Sequence, residues 1–539
     1  MKGLTRKLAT TAMMGAGMAL ALTTVAEAAE PKKGGVLEFV VGSRIPSYDG
    51  HREGTFGMIH PIRPFYNTLI RINPNNPSST TDFVCDVCVG DVPAPTDDGK
   101  TYTFKIREGI KFHNGQSMTA KDVAATYERL RNPPEGVRSL RKAYFSMIES
   151  VTAPDDTTVV FKLKTPSNAF IPAVAMPFNF IYSVEDMAKD NGRWVEKNIN
   201  GTGPFIFEEH QPGSYVKGKR NPNYHHAGMP YLDGFRAIAA PKMSTRLNAI
   251  RGGRALAEFR GFPPKAIADL KKALGDNLVT HESPWNCTLG VTFNQKREAM
   301  ADKRVRRALS MAIDRWGGSK YLSQIAIVKT VGGIVFPGHP LAATEAELAE
   351  IPGYGKDVEA NRAEAKRLLK EAGRENLKIK FINRGVDQPY KVVGTWLVDQ
   401  WKRVGVTANQ VVEPSTPFFN NLRNEKDFDA SIDFNCQAVV NPILDTSKFI
   451  SSARASNNYG QVDDPKADAL YDAMVAEADP AKQRQAMRAY EKHVLGDEAH
   501  WAMTLWWNRL NAHHAKMKGW KNSPSHYLNQ TLENVWLDG

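Results

Sequence analysis

Two cysteines three positions apart, Cys85 and Cys88, form the most compact group of side chains in this sequence with a potential for chemistry. A C-x-x-C pair can act as a redox centre, supply half of a zinc site or close a local disulfide. A redox centre needs its active cysteine at the start of a helix, whereas this pair stands in a loop before Pro93 and Pro95. A zinc site needs two further ligands, and none stands out nearby. A local disulfide is therefore the preferred interpretation, and a free pair is the alternative.

The histidines do not form a recognisable metal site. His225 and His226 are adjacent, so their side chains do not converge on one ion, and His113 stands alone beside the Asn114-Gly115 turn. The G-x-S-x-G and H-E-x-x-H motifs of hydrolases do not occur in the sequence. We therefore predict no enzyme, no metal centre and no cofactor, with a secreted hydrolase as the alternative.

The N-terminus predicts export. A basic start (Lys2, Arg6 and Lys7) precedes small apolar residues from 8 to 25 and the cleavage pattern Ala26-Glu27-Ala28, so residues 1–28 read as a signal peptide. No cysteine follows the cleavage site and no arginine pair precedes the apolar run, which favours Sec export of a protein that is not a lipoprotein. No later stretch is long and apolar enough to span a bilayer. We expect a soluble mature protein in the periplasm.

Length and charge limit the remaining classes of protein. The 539 residues exceed what one hydrophobic core usually serves, so at least two lobes are expected. The formal charge is +12, or about +10 without residues 1–28, which invites a nucleic-acid interpretation. The lysines and arginines are spread over the whole length without a dense basic tract, so we predict a solvated basic surface and no nucleic-acid partner.

Two stretches have clear periodicity. In 285–315, apolar Leu289, Val291 and Phe293 alternate with small polar residues and predict a half-buried strand. The apolar positions that follow share one helical face, with Asp302 at the N-cap and Arg304, Arg306 and Arg307 pointing away; they are Val305, Ala308, Leu309, Ala312 and Ile313. In 97–131, a strand with one solvent-exposed face is followed by a helix. Thr119 and Asp122 form a capping box at the start of that helix.

The sequence of these stretches resembles that of the extracytoplasmic solute-binding proteins of the oligopeptide, dipeptide and nickel class. The matching motifs are Asn294 with the D-x-R-V-R-x-A series ending at Asp314-Arg315, the string DDGKTYTFKIREGIKFHNG, Gly201–Phe205 and Arg220–Tyr224. The resemblance runs from about residue 34 to the C-terminus. It implies an α/β two-lobe periplasmic binding protein fold of type II, in the large class with an extra subdomain, and a ligand cleft between the lobes. The implied first lobe is 29–283 with the extra subdomain at about 70–200, the second lobe is 284–504, and 505–539 returns to the first.

The resemblance also implies a mechanism. The lobes close on a small solute, and the closed form docks on an ABC permease in the inner membrane; we expect a monomer. A ligand sensor or chaperone with the same fold is an alternative. Oligopeptide-binding members bridge cysteines at the positions of Cys287 and Cys436, so this disulfide is implied here, beside the ligand.

Both charged anchors of a dipeptide are replaced. The family's aspartate for the ligand amine, in a C-A-D-Y-x-x-P loop, corresponds to Ala438, and the arginine before the Pro-Tyr pair corresponds to Gln388. A plain dipeptide is therefore not expected, and Arg384 is predicted to hold an anionic group. The cleft is predicted to be rich in aromatic and amide side chains, with Arg44 at its rim; they are Trp285, Asn286, Tyr390, Trp396, Asn435, Asn441, Trp506 and Trp507. Such a cleft suits a modified peptide, an opine, a sugar or an aromatic acid, and a metal chelate is an alternative.

Overall fold

The computed structural model describes residues 30–477 and 479–539, and the predicted signal peptide, 1–28, lies outside them. The strands are β1 (Val36–Val41), β2 (Ile70–Ile72), β3 (Phe83–Cys85), β4 (Thr101–Lys105), β5 (Ile148–Asp155), β6 (Thr158–Leu163), β7 (Phe205–Gln211), β8 (Tyr215–Arg220), β9 (Gly234–Ala239), β10 (Ala257–Glu258), β11 (Leu278–Phe293), β12 (Val328–Thr330), β13 (Lys378–Arg384), β14 (Thr407–Glu413), β15 (Ala430–Cys436), β16 (Trp501–His514), β17 (Met517–Lys518) and β18 (Trp536–Leu537).

The described residues form sixteen α-helices. They are α1 (Phe56–Ile62), α2 (Ala120–Arg131), α3 (Phe170–Val174), α4 (Val184–Ala188), α5 (Met243–Arg251), α6 (Pro264–Leu274), α7 (Glu298–Ala301), α8 (Lys303–Met311), α9 (Arg315–Ile325), α10 (Glu345–Ala349), α11 (Val358–Glu371), α12 (Val392–Lys402), α13 (Ser415–Asn420), α14 (Pro442–Thr446), α15 (Pro465–Ala476) and α16 (Pro480–Glu491).

Two long strands, β11 and β16, connect the two halves of the main sheet. Its order is β14-β13-β15-β11-β16-β10-β1-β9-β8-β7, with β12 beside β16. The antiparallel register of β11 and β16 is regular from Leu278 to Pro284, shifts before Thr288 and shifts again before Gly290. We call the residues up to Pro284, with those after Trp507, the first lobe, and residues 288–506 the second lobe. Such irregularities bend a strand pair, and we expect the chain to turn from one lobe to the other at this point.

A second, smaller sheet belongs to the first lobe. Its order is β4-β6-β5, and α2 packs against it. The predicted alternation in β4 is confirmed, because Tyr102 and Phe104 are buried and the residues between them face solvent. The capping box is confirmed as well, since the Thr119 side chain accepts from the helix backbone and the Asp122 carboxylate accepts from the Thr119 amide.

The structure corrects two details of the 285–315 stretch. Asp302 caps α8 as predicted, accepting from Arg304 N at 2.8 Å. Arg306, however, does not point away from the core: it is buried and donates to the carbonyl oxygens of Met300, Ala301 and Glu498. The strand is not half-buried either, because β11 runs between β15 and β16 and its threonines are covered on the second face. Within the described residues, no helix combines the length and the apolar character needed to cross a membrane.

Candidate ligand-binding cavity

A small cavity of about 60 Å³ lies between the two lobes. The first lobe contributes Gly54, Leu140, Arg141, Tyr144, Met176 and Phe178 to the lining. The second lobe contributes Phe419, Arg423, Asp433, Phe434, Asn435, Cys436, Gln437, Ala438, Lys448, Asn457 and Tyr459.

The cavity is closed by polar contacts from one lobe to the other. Glu53 in the first lobe forms a two-pronged ion pair with Arg423 in the second, at 3.3 and 3.0 Å. Tyr144 and the Gln437 amide exchange hydrogen bonds, the shorter one 2.9 Å from Nε2 to the phenol oxygen. Because these side chains are buried, the contacts hold the lobes together without a solvent layer between them.

Arg141 is the cation of the cavity that has no counter-charge. Its Nη1 donates to the carbonyl oxygens of Gly50 and His51 at 2.8 and 3.2 Å, and its guanidinium carbon lies 4.2 Å from the centroid of the Phe178 ring. No acidic side chain among the described residues forms an ion pair with it. Burial lowers the pKa of Arg141 to about 10, which leaves it charged at neutral pH. An uncompensated buried charge is costly, so a ligand anion here would be strongly favoured.

The other charges of the cavity occur as pairs. Lys448 Nζ donates to Asp433 Oδ1 at 2.7 Å and to Phe434 O at 2.6 Å. An ammonium group carries three donors, so one N–H is left for a ligand. Asp433 Oδ2 has no hydrogen-bond partner among the described residues and can accept from a ligand hydroxyl or amide. Burial raises the pKa of Asp433, and Lys448 opposes that effect.

Both cysteine pairs are bonded. Cys287 on β11 and Cys436 on β15 stand directly opposite each other and are joined with an S–S distance of 1.97 Å. Cys436 lines the cavity, so the implied bridge beside the ligand is present. Cys85 and Cys88 form the second disulfide, in agreement with the preferred interpretation of the C-x-x-C pair.

Of the residues predicted to meet the ligand, Asn435 and Ala438 are in the lining. Ala438 is buried in the loop that follows β15. Asn435 is held in place, because its Nδ2 donates to Asp445 O at 2.7 Å and its Oδ1 accepts from Gln437.

The other predicted residues lie outside this lining, mostly because they pack the core or serve the backbone. Trp285, Trp506, Trp507 and Tyr390 are buried in aromatic contacts or in hydrogen bonds such as Trp285 Nε1 to His526 and Trp506 Nε1 to Gly333 O. Asn286 and Gln388 bond backbone atoms, and Asn441 caps α14. Trp396 packs over Gly318 on α9, and Arg44 lies at a separate shallow groove with Tyr215.

Arg384 lies behind the cavity wall, not on it. Its guanidinium faces the Phe419 and Phe434 rings, and its donors go to the hydroxyl groups of Ser415 at 2.9 Å and Thr55 at 2.8 Å. Ser415 belongs to the second lobe and Thr55 to the first, so Arg384 joins the lobes. Arg141, which the sequence analysis did not single out, does line the cavity.

Contrary to the expectation from their adjacency, His225 and His226 do converge: one ligand atom of each lies within 4.8 Å of the other and of Asp86. His226 Nδ1 is 3.1 Å from Glu533 Oε2, while His225 Nε2 bonds Asp86 O. The Asp86 carboxylate already accepts from Arg63, Asn67 and Thr68. A cation would have to displace these donors.

The sequence of this chain matches that of a known protein family. Residues 91–461 match the sequence profile described as "Bacterial extracellular solute-binding proteins, family 5 Middle". The oligopeptide-binding protein AppA of Bacillus subtilis (strain 168) is 26% identical over 465 residues, 82% of this chain and 81% of the relative. The glutathione-binding protein GsiB of Escherichia coli O1:K1 is 31% identical over 284 residues, 52% of each chain.

Solved structures show the same fold. AppA of B. subtilis in complex with a nonapeptide superposes with a TM-score of 0.81 at 19% identity, covering 95% of this chain and 100% of that one. AgaA in complex with agropinic acid, from A. tumefaciens R10, superposes with a TM-score of 0.80 at 22% identity, covering 94% of this chain and 99% of that one. The fold is therefore the two-lobe α/β fold of type II periplasmic binding proteins.

Proposed function

The chain belongs to the bacterial extracellular solute-binding proteins of family 5, the ligand-binding components of ABC importers for peptides, opines and related solutes, and from this premise we propose a ligand class and an anchoring residue. The ligand is a small solute that carries an anionic group, and Arg141 binds that group. The supporting observation is that Arg141 is buried in the lining and forms no ion pair with an acidic side chain of the described residues.

The rest of the lining fits an acidic solute with an apolar body. Phe178, Phe419, Phe434 and Tyr459 offer ring faces, and the third N–H of Lys448 supplies a second donor to an anion. With Ala438 in place of the anchoring aspartate, a free α-amine would find no dedicated partner in that loop. Of the predicted classes, an opine, an acidic modified peptide or an aromatic acid suits the cavity better than a plain dipeptide or a neutral sugar.

We propose that the hinge lies at the register shifts of β11 and β16, between Pro284 and Gly290. Closure around the solute would present both lobes together to an inner-membrane permease. We also propose that the mature chain acts in the periplasm, as a monomer and without catalytic activity of its own.

The decisive experiment is a binding screen with a matched pair of variants. The mature protein is refolded from denaturant to strip bound solutes and titrated calorimetrically with opines, aromatic acids, acylated peptides, dipeptides and neutral oligosaccharides. We expect acidic solutes to bind, and Arg141→Gln to weaken their binding about 30-fold or more, the cost of breaking a buried charge pair. Lys142→Gln, one residue away on the surface, serves as the control and should leave the affinity unchanged.

Tight binding of neutral sugars, or an affinity for acids that Arg141→Gln does not alter, would contradict the assignment of Arg141. Tight binding of unmodified dipeptides would contradict the inference from Ala438 and would direct attention to Asp433 as an amine partner.

A further inference from the structure

A second group of converging side chains lies in the second lobe, apart from the cavity. Asp464, His493 and His500 come from three separate segments: the N-cap of α15, the turn after α16 and the residue before β16. Asp464 Oδ2 is 2.7 Å from His493 Nε2 and 2.6 Å from His500 Nε2. Both histidines are about 5% exposed, so three potential ligand atoms meet in a nearly closed space.

The groups around Nδ1 of each histidine also favour metal binding. His493 Nδ1 is buried without a hydrogen-bond partner among the described residues, and the nearest carboxylate oxygen, Asp497 Oδ2, is 3.8 Å away. His500 Nδ1 is 2.8 Å from the side-chain amide of Gln295, whose oxygen and nitrogen can exchange places. With the Gln295 amide turned over and Asp497 Oδ2 drawn in from 3.8 Å, each histidine would donate from Nδ1 to an oxygen, the arrangement by which metal-bound histidines are held with Nε2 toward the ion.

We propose that Asp464, His493 and His500 bind one divalent transition-metal ion of the zinc class. Two imidazoles and one carboxylate are a ligand set that Zn²⁺ accepts, with water in the fourth position. Binding replaces two N–H···O contacts by three metal bonds, and it turns His493 Nδ1 into a donor toward Asp497. The ligand atoms must move apart by roughly 0.7 Å to reach ordinary zinc distances. Asp464 Oδ1 stays on the backbone amides of Lys466 and Ala467 and fixes the carboxylate.

The site is separate from the ligand cavity. We therefore expect its ion to stabilise the fold and not to contact the solute. None of the three residues lines the cavity. The ion would tie the start of α15 to the start of β16, and β16 carries the chain back to the first lobe.

Metal binding is measured on the full mature chain after treatment with a chelator. We expect calorimetric titration with ZnCl₂ to give one ion per chain, and Co²⁺ to give the intense visible absorption of a tetrahedral site. Asp497→Asn changes an exposed residue that faces His493 Nδ1 and does not itself bind the ion, and it should weaken zinc binding about tenfold. His500→Gln should weaken it by more than that.

The control variant is His226→Gln, which alters the other histidine cluster and should leave zinc binding unchanged. Absence of stoichiometric zinc binding by the wild-type chain would overturn the proposal, as would equal affinities of wild type and His500→Gln. If His500→Gln does not fold, the wild-type Co²⁺ spectrum and the Asp497→Asn titration decide the question, and neither depends on the identity of the transported solute.

Discussion

Buried histidines give this molecule a defined sensitivity to acid. His51 is fully buried, with its Nδ1 2.8 Å from Arg129 Nη1 and its Nε2 3.0 Å from Phe180 O. Burial, followed by the charge of Arg129, lowers the pKa of His51 to about 3. Burial likewise lowers the pKa of His60 to about 3. Both imidazoles are therefore neutral in the folded protein at pH values where an unfolded chain would protonate them.

We predict that the free energy of unfolding falls as the pH drops from about 6.5 toward 3. Above 6.5 the histidines are neutral in both states, so they add no pH dependence; below it only the unfolded chain takes up their protons. Each buried histidine then removes about 1.4 kcal/mol per pH unit. Urea unfolding at pH 7, 6 and 5 measures the slope.

His51→Gln should lower that slope between pH 6 and 5 by about 1.4 kcal/mol per pH unit, because one proton is no longer taken up on unfolding. An unaltered slope in the variant would mean that His51 is protonated in the folded state. The half-buried His339 provides a control position, since His339→Gln should affect the slope much less.

At the scale of secondary-structure elements, the sequence correctly predicted features that depend on residues close together in the chain. The capping box at Thr119 and the N-cap at Asp302 involve residues within three positions of each other, and both are present. The burial of Arg306 depends on carbonyl groups near Glu498, about 190 residues away, and no periodicity carries that information. The cavity poses the same difficulty, because Arg141 and Lys448 line it together although they are far apart in the sequence. Asn435 and Ala438 were found because they flank Cys436 in a recognisable loop, whereas most predicted tryptophans fill the core.

The disulfide between β11 and β15 should be a major contributor to stability. Cys287 and Cys436 are 149 positions apart, and closing a loop of that length restricts the unfolded chain by about 5 kcal/mol in the chain-entropy estimate. We predict that the double variant Cys287→Ser/Cys436→Ser loses about 3–5 kcal/mol in urea unfolding. The matched control is Cys85→Ser/Cys88→Ser, whose separation of 3 gives about 2 kcal/mol by the same relation. Equal losses in the two double variants would contradict the loop-length argument.

At the scale of the whole molecule, the ion pair between Glu53 and Arg423 couples closure to affinity. Its side chains are 1% and 5% exposed, so Glu53→Gln leaves Arg423 as an unpaired cation that is buried only when the lobes are closed. We predict an affinity for the transported solute at least about 30-fold weaker, with most of the change in the dissociation rate. Small-angle scattering should show a larger radius of gyration for the ligand-free variant than for ligand-free wild type.

Glu196→Gln is the control for this prediction, because Glu196 pairs with Arg52 and Arg193 inside the first lobe. It should alter neither the radius of gyration nor the affinity by a comparable amount. A Glu53→Gln variant with wild-type affinity would show that this ion pair does not contribute to closure.

The paired strands β11 and β16 also restrict which movements are mechanically open to the lobes. Sliding one strand along the other by a single residue would reverse the faces of all its side chains, so the ribbon resists shear. Between Glu282 and Pro284 the two strands pair with each other, and a two-stranded segment twists easily, whereas from Cys287 onward β15 holds the other edge of β11. We therefore expect the lobes to move by twisting and not by sliding. A solute too large for the cavity is expected to hold the lobes apart by an angle that grows with its size.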